Sequence, residues 1–524
     1  MNLLIDPWIP VRPQEGGAPR PIDLKTLLCD DGRWELALPR DDMELAALQM
    51  LICLVQVFWM PEDKPQWKQR LRQPLPEKDF ATGIEPYLEW FQLNHPQWPF
   101  MQVRGVQTDK TTPLDKLVPI DTSTNSCFVN PPGLVENLCW GCAAIALYNR
   151  ANNAPSFGGG QQGGFKFGIR SNNKMICPVT TLIQGPDLRS TIWINVLTRT
   201  FITEHAPEPL KLLNQPPTWV EPIPPRTTIP ATPIGLLRGL FWQPCHVELL
   251  WSTNDRPDMC DCCGQASKLL SYGFKKAQFK YKISGLWPHP HSPRILTVNK
   301  GKSQHNFAAF KDDAPAWTQL SRFVYKRQWT KENKEGWEPA LTVQQIQFVD
   351  PSKVELLIGG YRNSQASILE RRHEVLTLNR GWERHTATID SLVDHALRYR
   401  DALTSVVFLF SNGNDKKDIK GVRLVYKEQQ RTKHSLTETA RAQFYRRSET
   451  VILEALATID FDHPQSTFKA LDDTLGRLCR ALFEDITRPY LHQPELMCTY
   501  AICKRSLERR LKENRNAQPT EATP

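Results

Sequence analysis

Two Cys-x-x-Cys pairs that are far apart in the chain constrain its fold more than any other sequence feature. The first pair is Cys139 and Cys142, and the second is Cys260 and Cys263, with Cys262 as an additional thiol. Two such turns supply four thiolates, the closed tetrahedral set that holds a structural zinc ion. The pairs therefore predict that two distant segments meet at one zinc site.

Other interpretations of these cysteines stay open at this point. They are also consistent with buried reduced thiols, or with a redox pair, although no thioredoxin-like βαβ pattern surrounds either turn. Thirteen cysteines in a chain without a visible secretory leader favour a reducing, cytoplasmic location. The longest apolar stretch, residues 45–60, is interrupted by glutamines and is too short to cross a bilayer. We therefore expect no membrane contact.

The pattern of apolar residues and prolines in the sequence changes near residue 386. Before this point, short strand-like runs such as 191–196 alternate with proline-rich segments, in a chain that has 42 prolines. After it, apolar residues spaced by three and four predict four long helices. The first two span 389–410 and 435–459, the third ends before Pro489, and the fourth begins near Pro494.

These patterns predict an α+β protein with two domains. Residues 1–375 form a large mixed α/β domain that carries the structural zinc site, and residues 376–524 form a C-terminal four-helix bundle. The net charge of +9 permits contact with a polyanion but is too small for a purely electrostatic nucleic-acid binder. A basic segment at 416–433 is either a solvated surface or a polyanion contact.

A second unusual feature is a glycine-rich segment at residues 157–168. It holds six of the 27 glycines of the chain, including Gly158, Gly159 and Gly160. Gly158-x-Gly160-x-x-Gly163 matches the dinucleotide fingerprint, but the strand and helix that must flank this fingerprint are missing. Glycine also lets the backbone approach a DNA groove or a phosphate chain closely. A surface loop without a ligand is the alternative.

A third feature lies at residues 358–373. Gly359 and Gly360 precede a polar stretch with Ser364 and Gln365, followed by a segment that we interpret as an amphipathic helix. The residues alone therefore predict a domain hinge.

Motifs for catalysis are sparse. His289 and His291 form a His-x-His pair in a proline-rich turn, so one alternative function is a zinc-dependent nuclease that uses these histidines with the cysteine cluster. Four thiolates, however, leave no open coordination position for water. The sequence shows no Walker A, HExxH, Gly-x-Ser-x-Gly or paired-carboxylate nuclease motif. A scaffold with neither metal nor DNA recognition is a further alternative.

Motifs spread along the chain resemble the CasA-type large subunit of the type I-E CRISPR Cascade surveillance complex. They are NLLIDPWIPV at the N-terminus, LPRDDMELAAL, CFVN, the CWGC turn, APSFGGG, PVTTLIQGPDLRST, RGLFWQPCH, CDCCGQ, GLWPHPHSP and GGYRNSQASILERRH. The resemblance runs from Met1 into the helical region.

The resemblance implies a non-catalytic subunit of an antiviral ribonucleoprotein. Such a subunit reads the protospacer-adjacent motif (PAM) of foreign double-stranded DNA, promotes the unwinding that begins R-loop formation, and recruits a separate helicase–nuclease. The implied partners also include the 5′ handle of the guide RNA and the backbone, handle-binding and small subunits of Cascade. The guide RNA supplies the rest of the sequence specificity.

The resemblance also implies roles for particular residues. The DNA contacts would be Gly158, Gly159 and Gly160 in the PAM minor groove, with Ser364, Gln365 and Ala366 as a wedge beside it. The RNA contacts would be Phe128, Val129 and Asn130. The zinc ligands would be Cys139, Cys142, Cys260 and Cys263.

The chain departs from the family pattern at two places. Residues 161–164 are inserted after the glycine triplet. Where relatives place a PAM-contacting lysine, on the hairpin after the second cysteine pair, this chain has Gln278, with Lys275, Lys276 and Lys280 nearby. Which of these residues contacts DNA stays open.

Overall fold

The structure of the chain is a computed structural model. It describes residues 1–119, 133–157, 169–170, 176–213, 215–277, 279–299, 302–310, 312–331, 334–349, 353–364, 366–412, 436–494 and 496–517. Helices and small, mostly antiparallel sheets are mixed along this part of the chain. The fold class is therefore α+β, as predicted.

The helices and strands of the described residues are numbered in chain order. The helices are α1 (Leu24–Cys29), α2 (Asp41–Phe58), α3 (Lys64–Arg72), α4 (Glu77–Ile84), α5 (Trp140–Asn152), α6 (Leu188–Ile194), α7 (Arg199–His205), α8 (Leu236–Leu240), α9 (Leu320–Val324), α10 (Leu341–Val349), α11 (Thr386–Asn412), α12 (Leu436–Thr458), α13 (Gln465–Thr487) and α14 (Leu496–Asn516). The strands are β1 (Ile9–Pro13), β2 (Arg20–Ile22), β3 (Trp34–Leu36), β4 (Leu138–Cys139), β5 (Thr180–Gln184), β6 (Thr228–Pro230), β7 (His246–Met259), β8 (Ala266–Ala277), β9 (Lys282–Ser284), β10 (Arg294–Asn299), β11 (Lys302–Phe307), β12 (Glu335–Glu338), β13 (Val354–Ser364) and β14 (Ser367–Leu378).

The chain divides into two compact units. The first contains Met1–Lys311, Arg322–Asp350 and Glu355–Val375, and the second contains Asp312–Ser321, Pro351–Val354 and Leu376–Pro524. None of the described helices is long and apolar enough to span a membrane.

The core of the first unit is built around α2 and α5. Almost every residue of each helix is buried, on all faces, as expected of a helix that is apolar all round. The two helices pack against each other, and the Cys53 sulfur lies 3.2 Å from the Tyr148 hydroxyl between them. The core therefore fixes α5, and with it the segments that begin and end this helix.

Three-stranded sheets surround this core. Their strand orders are β2-β1-β3, β4-β8-β7, β14-β13-β5 and β11-β10-β12, and β6 and β9 form a separate parallel pair. The strands β7 and β8 form a long antiparallel hairpin whose turn carries the second cysteine pair. The strand β5 pairs with β13 in a register that sets Thr180 opposite Gly359.

Two predictions of local structure are wrong. Residues 358–373 are not a hinge with a helix, because β13 and β14 are neighbouring strands joined by only two residues. Arg362 of β13 and Glu370 of β14 form an ion pair across the two strands, with their charged atoms 2.8 Å apart. The charged residues of this segment therefore lie on a hairpin and not on an amphipathic helix. Residues 191–196 are not a strand either: most of them belong to α6, whose N-terminus is capped by the Asp187 side chain.

Four long helices, α11 to α14, make up most of the second unit and pack against one another. On α11, Tyr399 donates a hydrogen bond of 2.7 Å to Asp472 of α13, and the His395 Nε2 atom lies 2.8 Å from the same carboxylate. The apolar residues of α13 that recur every three or four positions are buried: Phe468, Leu471, Leu475, Cys479, Leu482 and Ile486.

Candidate metal centre and nucleic-acid interface

The two cysteine pairs are brought together by the pairing of β4 with β8. This pairing sets Cys139 opposite Leu270, a few residues beyond the second pair. Cys139 is also the N-cap of α5, so the first turn of that helix carries Cys142. The second pair lies in the tight turn of the β7–β8 hairpin, where Gly264 has a φ of +69° that favours glycine.

The four sulfur atoms have the spacing of a tetrahedral metal site. They all lie within 4.8 Å of one another, and the Cys139 and Cys263 sulfurs are 3.7 Å apart. A tetrahedron with Zn–S bonds of about 2.3 Å has an edge of about 3.8 Å. Hydrogen bonds from the Cys139 and Cys142 thiols lower the pKa of Cys260. The four cysteines can therefore hold one metal ion.

Asp261 reinforces this arrangement from outside the sulfur cluster. Its carboxylate accepts hydrogen bonds from the Glu136 and Asn137 amides, at 2.8 and 2.7 Å. The cysteine turn is thus tied to the segment that leads into β4. The fifth thiol of the region, Cys262, is buried separately from the four-sulfur group.

His289 and His291 do not join this cluster. They form a separate group with Cys53, and their exposed fractions are only 1% and 2%. Burial, and then the nearby Arg170 guanidinium, lower the pKa of His291 to about 3. The structure therefore does not bring together the residues of the alternative nuclease site, and we assign no metal to this second group because a guanidinium faces it.

A cluster of cationic side chains lies where the chain enters the glycine-rich segment. Phe157, the residue before Gly158, has the Arg150 guanidinium 4.6 Å and the Lys276 ammonium 4.7 Å from its ring centre. Burial, and then the charges of Lys116, Arg150 and Lys110, lower the pKa of Lys276 to about 8. Desolvation and nearby positive charges both disfavour the charged form of a lysine. We call these four basic residues and Phe157 the cationic cluster.

Two elements, α5 and β8, support the cationic cluster. Arg150 lies in the last turn of α5, and its guanidinium also donates to the Pro155 carbonyl at 2.7 Å. Lys276 lies near the end of β8, whose pairing with β7 sets it opposite Val247. The Phe157 ring also packs 5.6 Å from Phe274 of β8. The end of β8 is thereby fixed beside the entrance to the glycine-rich segment.

The β13–β14 hairpin carries the predicted wedge at its end. Ser364, the last residue of β13, is exposed, and Ala366 is partly exposed. Further back, the Tyr361 hydroxyl is buried between Asp42 and Asn149, donating to the first and accepting from the second at 2.7 Å each. The hairpin is therefore anchored in the core while its end reaches the surface.

The other predicted contacts lie outside the described residues. They are Gly158, Gly159, Gly160, Gln278, Gln365, Phe128, Val129 and Asn130. Their roles stay predictions.

Most of the cationic cluster has no recognisable signal in the sequence. Arg150, Lys110 and Lys116 are spread over three segments, and nothing in their local sequence distinguishes them from ordinary surface cations. The available signal was Phe157, an aromatic residue directly before three glycines, because aromatic rings beside basic residues recur at nucleic-acid interfaces.

Comparison with known proteins identifies the family. The family model of CRISPR-associated protein Cse1 matches residues 2–482. The fold is also similar to Cse1 of Acidimicrobium ferrooxidans (TM-score 0.71, 16% identity, 99% of both chains) and Cse1 of Thermobifida fusca (0.71, 18%, 98% of both chains). A chain in a structure described as a CRISPR RNA-guided surveillance complex is similar too (TM-score 0.64, 14% identity, 97% of this chain and 99% of that one). The chain therefore belongs to the Cse1 family of CRISPR-associated proteins.

Proposed function

We propose that this chain is the non-catalytic, PAM-reading subunit of a type I-E CRISPR RNA-guided surveillance complex in the cytoplasm. The observation that carries the proposal, beside family membership, is the cationic cluster at the entrance to the glycine-rich segment. Clustered lysine and arginine side chains attract a phosphate chain, because binding releases the counterions of DNA.

The two predicted DNA elements have complementary tasks in this proposal. Gly158, Gly159 and Gly160 lie against the minor groove, whose shallow base edges a backbone without side chains can approach. Gln365, between Ser364 and Ala366, enters beside the PAM and separates the first base pair. Unstacking one step costs a few kcal/mol, which phosphate contacts and pairing with the guide RNA must offset.

The four cysteines act structurally in this proposal. They bind one zinc ion, which holds the turn of the β7–β8 hairpin against the start of α5. Since Arg150 lies in the last turn of α5 and Lys276 lies near the end of β8, the ion fixes both supports of the cationic cluster. A closed set of four thiolates gives the ion no catalytic position.

The remaining contacts belong to assembly. The guide RNA is bound at its 5′ handle by Phe128, Val129 and Asn130. Residues 376–524 form a four-helix bundle. The chain assembles with the backbone, handle-binding and small subunits, and the DNA that it opens is passed to a separate helicase–nuclease.

The test is Gln365→Ala in the assembled complex, with a fluorescent base analogue beside the PAM reporting strand opening. We expect slower opening of a matched linear target and little change in the first encounter with the duplex. Negative supercoiling should reduce the defect, because it supplies opening energy. Gln73→Ala, an exposed glutamine after α3, is the matched control. Opening at the wild-type rate by Gln365→Ala would contradict the wedge.

A further inference from the structure

Arg170 is a buried arginine directly after the glycine-rich segment. Its side chain is 0% exposed. No carboxylate of the described residues is among the groups that shift the pKa of its guanidinium. A buried guanidinium without a counter-charge is costly unless its donors are bound. The hydrogen bonds of Arg170 should therefore show why this position holds an arginine.

The guanidinium binds two separate segments of the chain. One terminal nitrogen, Nη1, donates to the Asn152 carbonyl at 3.3 Å and to the Asn153 side-chain oxygen. The other, Nη2, donates to the Val179 carbonyl at 3.0 Å and to Thr180 Oγ1 at 2.9 Å. One planar group thus joins the end of α5 to the start of β5.

These two segments lead to the two predicted DNA elements. The chain runs from the end of α5 into residues 158–168 and returns at Ile169. Thr180 pairs with Gly359 of β13, the first strand of the wedge hairpin. Near the end of β13, the Asn363 side-chain oxygen accepts a hydrogen bond of 2.7 Å from the Cys177 amide. Arg170 therefore lies where the supports of both elements meet.

Helix α5 holds the same hairpin by a second contact. The Asn149 amide donates to the Tyr361 hydroxyl, which donates in turn to the Asp42 carboxylate of α2. Asn149 lies one turn before the residues that Arg170 binds. The last turn of α5 thus contacts β13 directly and, through Arg170, the neighbouring β5.

We propose that Arg170 is a positioning residue for DNA opening, which fixes the wedge hairpin to the end of α5 and so to the entrance of the glycine-rich segment. The inference rests on the proposed function. It predicts that loosening this link slows strand opening, because the wedge is no longer held at a fixed distance from the groove contact. The first encounter with duplex DNA, which depends on phosphate contacts, should be unaffected.

Two neighbouring threonines of β5 provide a matched test. Thr180 and Thr181 are both 0% exposed, but Thr180 Oγ1 accepts from Arg170, whereas Thr181 Oγ1 has no hydrogen-bond partner among the described residues. Replacement by valine conserves shape at both positions and removes a hydroxyl. Only Thr180→Val weakens the link, and it is far less disruptive than replacing Arg170 itself.

The experiment measures three properties of each variant in the assembled complex. These are the association rate with PAM duplex that does not match the guide, the opening rate on matched linear DNA, and the unfolding temperature. Loss of one hydrogen bond of ordinary strength should slow opening by Thr180→Val about three- to tenfold. Thr181→Val should open DNA at the wild-type rate, and both variants should associate normally.

Equal opening rates for the two variants would overturn the inference, and so would a Thr180→Val variant that loses thermal stability without slower opening. Gln365→Ala, measured in parallel, separates this failure from failure of the proposed function. If Gln365→Ala slows opening and Thr180→Val does not, only the positioning role is wrong. If Gln365→Ala opens DNA normally, the wedge itself is wrong.

Discussion

The lowered pKa of Lys276 gives the proposed DNA contact a pH dependence that ordinary surface lysines lack. A free lysine titrates near 10.4, but burial and the charges of Lys116, Arg150 and Lys110 lower the pKa of Lys276 to about 8. Its ammonium is therefore charged below pH 8 and mostly neutral above it. A DNA phosphate binds the charged form, so affinity is fully present at pH 7 and is lost as the pH rises through 8.

The size of the loss follows from this pKa. The charged fraction of Lys276 falls from about 0.9 at pH 7 to about 0.1 at pH 9, so affinity that requires the charged form falls about tenfold. Lysines with the usual pKa remain almost fully charged over this range. One fewer phosphate contact should also reduce the slope of log K against log salt by about 0.9.

The assay is fluorescence anisotropy of labelled PAM duplex with the assembled complex, at constant salt, between pH 6.5 and 9. Lys276→Arg is the matched control because arginine stays charged throughout, so its affinity should be flat with pH. Lys276→Met should bind more weakly at pH 7 and should also be flat. A wild-type curve that is parallel to that of Lys276→Arg would refute the assignment of Lys276 as a DNA contact.

Three further predictions test the metal centre and the anchoring of the hairpin. Purified protein should contain about one zinc per chain by mass spectrometry, and Cys142→Ser should lose it together with thermal stability; metal-free protein with unchanged stability would contradict the site. Tyr361→Phe should lower the free energy of unfolding by about 1–3 kcal/mol in denaturant titrations, because the buried Asp42 carboxylate and Asn149 amide lose a shared partner; an unchanged midpoint would count against this anchor. Gly359→Ala should cost about 1–3 kcal/mol in the same measurement, since its Cβ would lie 2.5 Å from a Leu45 methyl group and 3.1 Å from the Arg372 carbonyl; wild-type stability would show that the strand can shift to make room.

The helices of the second unit were the easiest part to predict, because each carries its own pattern. The predicted helix at 389–410 corresponds to Thr386–Asn412, and the one at 435–459 corresponds to Leu436–Thr458. Spacing by three and four marks the buried side of such a helix within a single segment. The cysteine cluster was predictable for a related reason. Each Cys-x-x-Cys turn is recognisable from its own residues, and two such turns together supply the four ligands of one tetrahedral site.

The β13–β14 hairpin could not be predicted from its own sequence. Gly359 and Gly360 suggest a break in secondary structure, yet both lie within β13. These positions hold glycine because neighbouring groups leave no room for side chains. A Cβ on Gly360 would be 3.0 Å from the Pro178 carbonyl, and this residue has a φ of +140°. The requirement for glycine comes from close packing against residues as distant in the chain as Leu45 and Pro178, which no local pattern reveals.

Which of Lys275, Lys276 and Lys280 faces Phe157 depends on strand register. Successive side chains of a strand face opposite sides of a sheet, so a shift of β8 by one residue would exchange the positions of Lys275 and Lys276. The register of β8 is fixed in its middle by pairing with β4, at Leu270 and Ser271, and along its length by β7, with irregularities after Leu250 and Thr253. The cysteine pairs and the lysine that faces Phe157, which were separate observations in the sequence, are therefore linked through one strand. In the proposed function, an ion held by the four cysteines would influence DNA recognition without touching DNA, because β8 joins its site to that lysine.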